Sequence, residues 1–166
     1  MGASLARGLE YLHARELLHG DVKPSNVGIT SAHDYKLLDF GLSRIVDRDT
    51  AGQEAGGGAG GDPRGVRGTA AYLPPESHES GRVGPAADIW GLAITVYEAI
   101  AGRHPYTNVE GRLPAGRILT GVVPDIRDVV VDCPDSVAHV FRTVLAADID
   151  ARPRTASQLA ACFGVR

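Results

Sequence analysis

His19-Gly20-Asp21-Val22-Lys23-Pro24-Ser25-Asn26, followed thirteen residues after Asn26 by Asp39-Phe40-Gly41, decides how this chain is read. Two carboxylates, a carboxamide and a lysine fall within one short stretch. In-line phosphoryl transfer asks for a group near the attacking hydroxyl, a cation on the transferred phosphate and oxygen ligands for a divalent metal. Asp21 can accept the hydroxyl proton and Lys23 can neutralise the phosphate. The side-chain oxygens of Asn26 and Asp39 suit Mg²⁺, a hard cation. An isolated D-x-x-x-x-N carries little weight, because Asp and Asn are ordinary turn residues and a solvated turn would look the same. The rest of the chain has to supply the context.

It does so in order. Downstream come Gly68-Thr69-Ala70-Ala71-Tyr72-Leu73-Pro74-Pro75-Glu76, then Asp88-Ile89-Trp90-Gly91, then Arg152-Pro153-Arg154-Thr155. With the opening two segments, these resemble five ordered landmarks of the protein kinase large lobe. They are the catalytic loop, the metal-binding motif, the substrate-docking loop with its Ala-Pro-Glu, the central helix and the late arginine. The resemblance covers essentially all of residues 1–166. It implies an α+β, mostly helical fold with a short β-hairpin at the catalytic site. It also implies a catalytic region that transfers the γ-phosphate of ATP to Ser/Thr hydroxyls of a protein substrate. Lys23, two residues after Asp21, is the serine/threonine-type pattern. The Ser25-Asn26 wording and the run Leu37-Leu38-Asp39-Phe40-Gly41-Leu42-Ser43 look most like bacterial members.

By the same resemblance, Asp21 is the base, Lys23 contacts the γ-phosphate, and Asn26 and Asp39 hold Mg²⁺. Thr69 bonds near Asp21 and Lys23 and favours Ser/Thr substrates. Asp88 anchors the catalytic loop, His19 supports it, and Glu76 with Arg152 forms a buried ion pair bracing the docking loop. Without the resemblance, Asp88 is an acidic residue favoured at a helix N-terminus and Thr69 an ordinary loop hydroxyl. His13, His33, His78, His104 and His139 are scattered, which favours surface or packing roles.

The sequence departs from the family in two places. The Gly-rich phosphate cover, strand lysine and helix glutamate of the small lobe have no match here. A segment carrying that lobe is therefore expected outside these residues, and the chain alone is expected to transfer phosphate weakly or not at all. The family's Arg between His and Asp is Gly20. That glycine also fits small-molecule phosphotransferases of the aminoglycoside- or choline-kinase type, which use His-Gly-Asp; Lys23, Phe40-Gly41 and the docking segment speak against them. A non-catalytic interaction module is the third reading, opposed by the intact Asp21, Asn26 and Asp39. Residues 42–73 occupy the activation-loop region, and its glycine-rich part, 51–65, is expected to be mobile because ordering glycine is entropically costly. No Ser, Thr or Tyr occurs from 51 to 68, and Thr50 is the nearest upstream acceptor. With the phosphate-binding arginine replaced by Gly20, activation-loop phosphorylation is not expected to be the main switch.

Composition is compatible with one globular domain: 166 residues, 22% charged and 43% hydrophobic. A net charge of −3 gives no reason to expect nucleic acid or an anionic membrane as partner. Cys133 and Cys162 form no disulfide framework or metal spacing, so buried thiols and a reducing, cytoplasmic location are expected. No signal peptide is expected at the start.

Periodicity supplies the elements. Leu5, Leu9 and Leu12 predict a helix over 2–14. Val27-Gly28-Ile29-Thr30 and Tyr35-Lys36-Leu37-Leu38 predict two strands around the turn Ser31-Ala32-His33-Asp34, which brings Asn26 and Asp39 to one spot. Pro85–Ala101 is apolar on nearly every face, opens at proline and closes at Gly102, so a buried helix is expected. With Asp88 and Glu98 it is too short and too charged to span a membrane. Helices are also expected over 135–147 and 155–163, the latter with Thr155 and Gln158 at capping-box spacing. Residues 103–131 show weak periodicity.

Overall fold

The computed structural model describes residues 1–41, 43–45, 68–81, 83–108 and 112–164. Most of the 42–73 region, including the whole glycine-rich 51–65 stretch, lies outside the described residues.

Helix α1 (Gly2–His13) buries Leu5, Ala6 and Leu9 on one stripe. Strand β1 (Leu17–Leu18) leads into the 19–26 loop, which ends in a 3₁₀ turn, Pro24–Asn26. Strands β2 (Val27–Ile29) and β3 (Tyr35–Leu37) pair antiparallel in the register Val27↔Leu37 and Ile29↔Tyr35. Each is one residue shorter than the sequence predicts, because Thr30 closes the turn. Its N–H donates to Asp34 O at 2.9 Å and its Oγ1 accepts from Asp34 N at 3.1 Å. A second ladder, which periodicity does not reveal, pairs β1 with β4 (Arg44–Ile45).

The remaining elements are helical. A 3₁₀ turn, Gly68–Tyr72, precedes α2 (Pro75–Ser80). The central helix α3 (Pro85–Ala101) has the predicted bounds, and every residue from Ala87 to Tyr97 is buried. Its last turn emerges, leaving Ile100 46% exposed. Among the described residues of the weakly periodic 103–131 region, the helical elements are the short helix α4 (Ala115–Leu119) and a 3₁₀ turn, Ile126–Asp128. Helix α5 (Asp135–Val144) stops three residues before the predicted end. The carbonyls of Ala146 and Ala147 turn instead to the Arg152 guanidinium, at 2.6 and 3.1 Å. Helix α6 (Ala156–Phe163) starts where the capping signal places it, with Thr155 Oγ1 accepting from Gln158 N at 3.2 Å.

Among the described residues the architecture is thus α+β and mostly helical, with two small antiparallel ladders. Helix α1 packs against α3 and α6, and α3 runs through the middle. Leu5, Leu9, Trp90, Tyr97, Phe141 and Leu159 fill the core. Among the described residues, no helix is long and apolar enough to cross a membrane.

Candidate functional site

The 19–26 loop is suspended from α3. Asp88, 2% exposed, accepts from His19 N at 2.9 Å through Oδ2 and from Gly20 N at 2.8 Å through Oδ1. Both backbone donors must face one carboxylate. Gly20 manages this with φ +76°, a conformation that carries no steric penalty for glycine. His13 Nε2 also meets Asp88 Oδ2, at 2.9 Å. This partner escaped the sequence reading, which placed His13 among surface or packing residues. Its signal was present: Leu5, Leu9 and His13 lie on one helical stripe, and a polar residue on a buried stripe needs a partner. His19 is fully buried, its Nε2 donating to Leu38 O at 3.1 Å and its Nδ1 accepting from Asp21 N at 3.3 Å. The loop is fixed at both ends before any ligand arrives.

That suspension sets the polar cluster. Asp21 is 8% exposed, and its Oδ2 receives Lys23 Nζ at 2.7 Å and Asn26 Nδ2 at 3.0 Å. Asn26 Nδ2 also donates to Asp21 O at 2.8 Å. The amide nitrogen of Asn26 is thereby committed to Asp21, and its Oδ1 is the atom suited to a hard cation. Leu38 N donates to Asn26 O at 2.8 Å, so the hairpin sets Asn26 against the residue preceding Asp39. Asp39 has φ +59°, uncommon outside glycine though tolerated by Asp. Its Oδ1 accepts from Gly41 N at 3.1 Å, leaving Oδ2 as the second oxygen donor. A Cβ at position 41 would approach that Oδ1 to 3.0 Å, so the carboxylate would have to give by a few tenths of an ångström to admit one. Among the described residues no group of three His, Cys, Asp or Glu side chains gathers to hold a metal. One amide and one carboxylate oxygen still fit Mg²⁺, which ordinarily keeps several waters and takes only one or two carboxylates beside substrate phosphates.

The sequence-predicted Asp21, Lys23 and Asn26 are therefore in direct contact, and the hairpin brings Asp39 to the same end. The side chain of Thr69 lies outside the described residues; its backbone belongs to the Gly68–Tyr72 turn. Beyond that turn, Tyr72 and Leu73 face Gly20, Asp21 and Val22 across a narrow crevice. Tyr72 donates its hydroxyl to Glu98 Oε2 at 2.8 Å, and burial together with that carboxylate pushes the phenol pKa well up. Arg152 Nη1 meets Glu76 Oε1 at 2.9 Å, as the sequence predicts. The pair is only half buried, however, with the Glu76 side chain 36% exposed and that of Arg152 5%. Leu38 and Phe40, on either side of Asp39, are 47% and 50% exposed.

A family model described as the protein kinase domain matches residues 1–161. The chain is 40% identical over 144 residues to mitogen-activated protein kinase kinase 10 of Arabidopsis thaliana, covering 83% of this chain and 42% of that protein. It is 31% identical over 161 residues to the probable serine/threonine-protein kinase PkwA of Thermomonospora curvata, covering 96% of this chain and 20% of that protein. It is 36% identical over 100 residues to the serine/threonine-protein kinase PknA of Mycobacterium tuberculosis, covering 60% of this chain and 21% of that protein. The chain spans less than half the length of each of these relatives. With the loop, hairpin and central helix arranged as described, the chain belongs to the protein kinase domain family.

Proposed function

We propose that residues 1–166 are the catalytic large lobe of a serine/threonine protein kinase. A small lobe from another segment would complete the nucleotide site. The contact set of Asp21 with Lys23 and Asn26, hung from Asp88, carries this reading. Asp21 orients the substrate hydroxyl and takes its proton on a carboxylate oxygen as the oxygen attacks the γ-phosphorus and the bond to ADP breaks. Lys23 leaves Asp21 Oδ2 in part to neutralise the transferred phosphoryl group. Asn26 Oδ1 and Asp39 Oδ2 would hold Mg²⁺, which when bound supplies charge neutralisation at the ATP phosphates. Thr69 would bond near Asp21 and Lys23 and favour Ser/Thr acceptors, in keeping with the similarity to the serine/threonine-protein kinases PkwA and PknA.

The half-exposed Leu38 and Phe40 would be covered by the small lobe, and the chain alone would transfer phosphate weakly or not at all. Residues 42–73 would serve as the activation segment. With Gly20 where the family carries arginine, phosphorylation of that segment would not be its main switch.

Calorimetric titration of the purified chain with ATP, with and without Mg²⁺, tests the proposal. Saturable, Mg²⁺-dependent binding is expected. Asp39→Ala should weaken it, while Asp21→Ala should keep it and, with the small lobe supplied, lose phosphoryl transfer to a Ser/Thr protein substrate. Unchanged binding in Asp39→Ala would remove Asp39 from the metal site, and retained turnover in Asp21→Ala would remove Asp21 as base. A cooperatively folded chain that binds no nucleotide would favour the non-catalytic module.

A further inference from the structure

His104 follows the end of α3, well outside the polar cluster, yet it is 7% exposed and bonded on both ring nitrogens. Its Nε2 donates to Ala71 O at 3.0 Å and its Nδ1 accepts from Tyr106 N at 3.3 Å. The ring also stands edge-on to Tyr72, with centroids 5.3 Å apart, and lies 5.8 Å from Tyr106. Ala71 and Tyr72 belong to the Gly68–Tyr72 turn, and Tyr72 forms one wall of the crevice beside Asp21. One imidazole therefore ties the segment after α3 to the wall that faces the catalytic loop.

The tie requires one protonation state. A neutral imidazole with its proton on Nε2 supplies both the donor for Ala71 and the acceptor for Tyr106. An imidazolium is a donor at both nitrogens, so the Tyr106 N–H would confront another N–H in a buried site. We propose that His104 is a positioning residue for the substrate-docking turn, and that protonating it releases the turn, so protein-substrate engagement falls on acidification. This rests on the kinase reading above and adds the regulation of its docking segment.

Of the groups around His104, the histidine is the one whose protonation breaks the tie. Glu98, on α3, faces it as a carboxylate already bonded to Tyr72 and favours the charged ring. Burial opposes that more strongly, and the net direction is a lowered imidazole pKa. The phenols of Tyr72, on the turn, and Tyr106, on the same segment, are both pushed upward and stay neutral. Arg152 acts on Tyr106 as a guanidinium charge.

Two variants separate positioning from simple packing. His104→Gln keeps an amide donor toward Ala71 and cannot titrate; His104→Leu fills similar space and loses both bonds. The first readout is amide hydrogen exchange of residues 70–73 and 106 in the full chain, corrected for intrinsic rates, at pH 7.5 and 5.5. Wild type should lose protection there roughly threefold to tenfold at the lower pH, the range of one net hydrogen bond. His104→Leu should show that loss at both pH values, and His104→Gln should show little change between them. The second readout is KM for a protein substrate, with the small lobe supplied. It should rise by a similar factor in His104→Leu with kcat within about twofold. If exchange is insensitive to pH and to both variants, the latch is wrong whatever the activity. If the exchange pattern appears while Asp21→Ala leaves transfer unchanged, the latch stands and the catalytic assignment fails. A KM that does not change while the exchange pattern appears would overturn the role in substrate engagement.

Discussion

Arg152→Ala should destabilise the chain by about 4 kcal/mol and Glu76→Ala by only about 1.5, although the two residues form one ion pair. The asymmetry follows from what each side chain holds. Arg152, 7% exposed, donates through Nε to Ala146 O at 2.6 Å, through Nη2 to Ala147 O at 3.1 Å and through Nη1 to Glu76 at 2.9 Å. Its guanidinium also lies 4.4 Å from the centroid of the buried Trp90 ring. Hydrogen bonds to a charged group contribute about 1.5–3 kcal/mol each, and a desolvated cation–π contact about 2. Their simple sum overshoots, since water entering the vacated site resolvates part of the carbonyl pair. The roughly 3–5 kcal/mol found on breaking a buried pair is the better guide.

Glu76 has one of these contacts, and its side chain is 36% exposed, so its removal leaves Arg152 with two carbonyls and the Trp90 face. Urea denaturation of both variants and of Arg152→Lys measures the difference, provided the slope m stays constant. Lysine keeps the charge without the planar fork and should fall between the two. Equal losses for Arg152→Ala and Glu76→Ala, within about 0.5 kcal/mol, would refute the view that Arg152 acts chiefly as a clasp on the carbonyls after α5.

Three further outcomes are expected. Asp88→Ala leaves the buried His19 N–H and the partly buried Gly20 N–H without their carboxylate, so it should cost about 3–5 kcal/mol and remove exchange protection at both amides; protection retained at those positions would contradict the suspension of the loop. The Arg127 guanidinium, at 2.6 Å, holds Asp125 down from 3.8 to about 2, so an NMR titration should show the carboxyl charged until well below pH 3.8. Arg127→Ala should return it toward its ordinary value. His104 is lowered from 6.5 by burial, so its contribution to stability is present above that value and lost as pH falls through the folded pKa. Chemical denaturation between pH 7.5 and 5.5 should therefore show declining stability in wild type, with that part of the slope absent from His104→Gln.

Local pattern determined much of this protein. Leu5, Leu9 and Leu12 mark α1, the apolar run after Pro85 marks α3 to the residue, and Thr155 with Gln158 marks the start of α6. The motif spacing picked out Asp21, Lys23 and Asn26 before their contact was visible, and the turn residues after Thr30 brought Asp39 to the same end. Such features are legible because helices and hairpins repeat one backbone bond over successive residues, so the side-chain pattern reports it many times.

What only the tertiary structure decided is made of single bonds between distant groups. His13 with Asp88, Arg152 with the carbonyls of Ala146 and Ala147, and His104 with Ala71 each involve one or two polar atoms and no repeat. The two-residue ladder of β1 with β4 is too short to show alternation. These pairings exist because the core around α3 sets the backbone of remote segments side by side, where a buried donor must find an acceptor. The sequence carries the candidate chemistry in its motifs, and packing determines which side chains hold them in place.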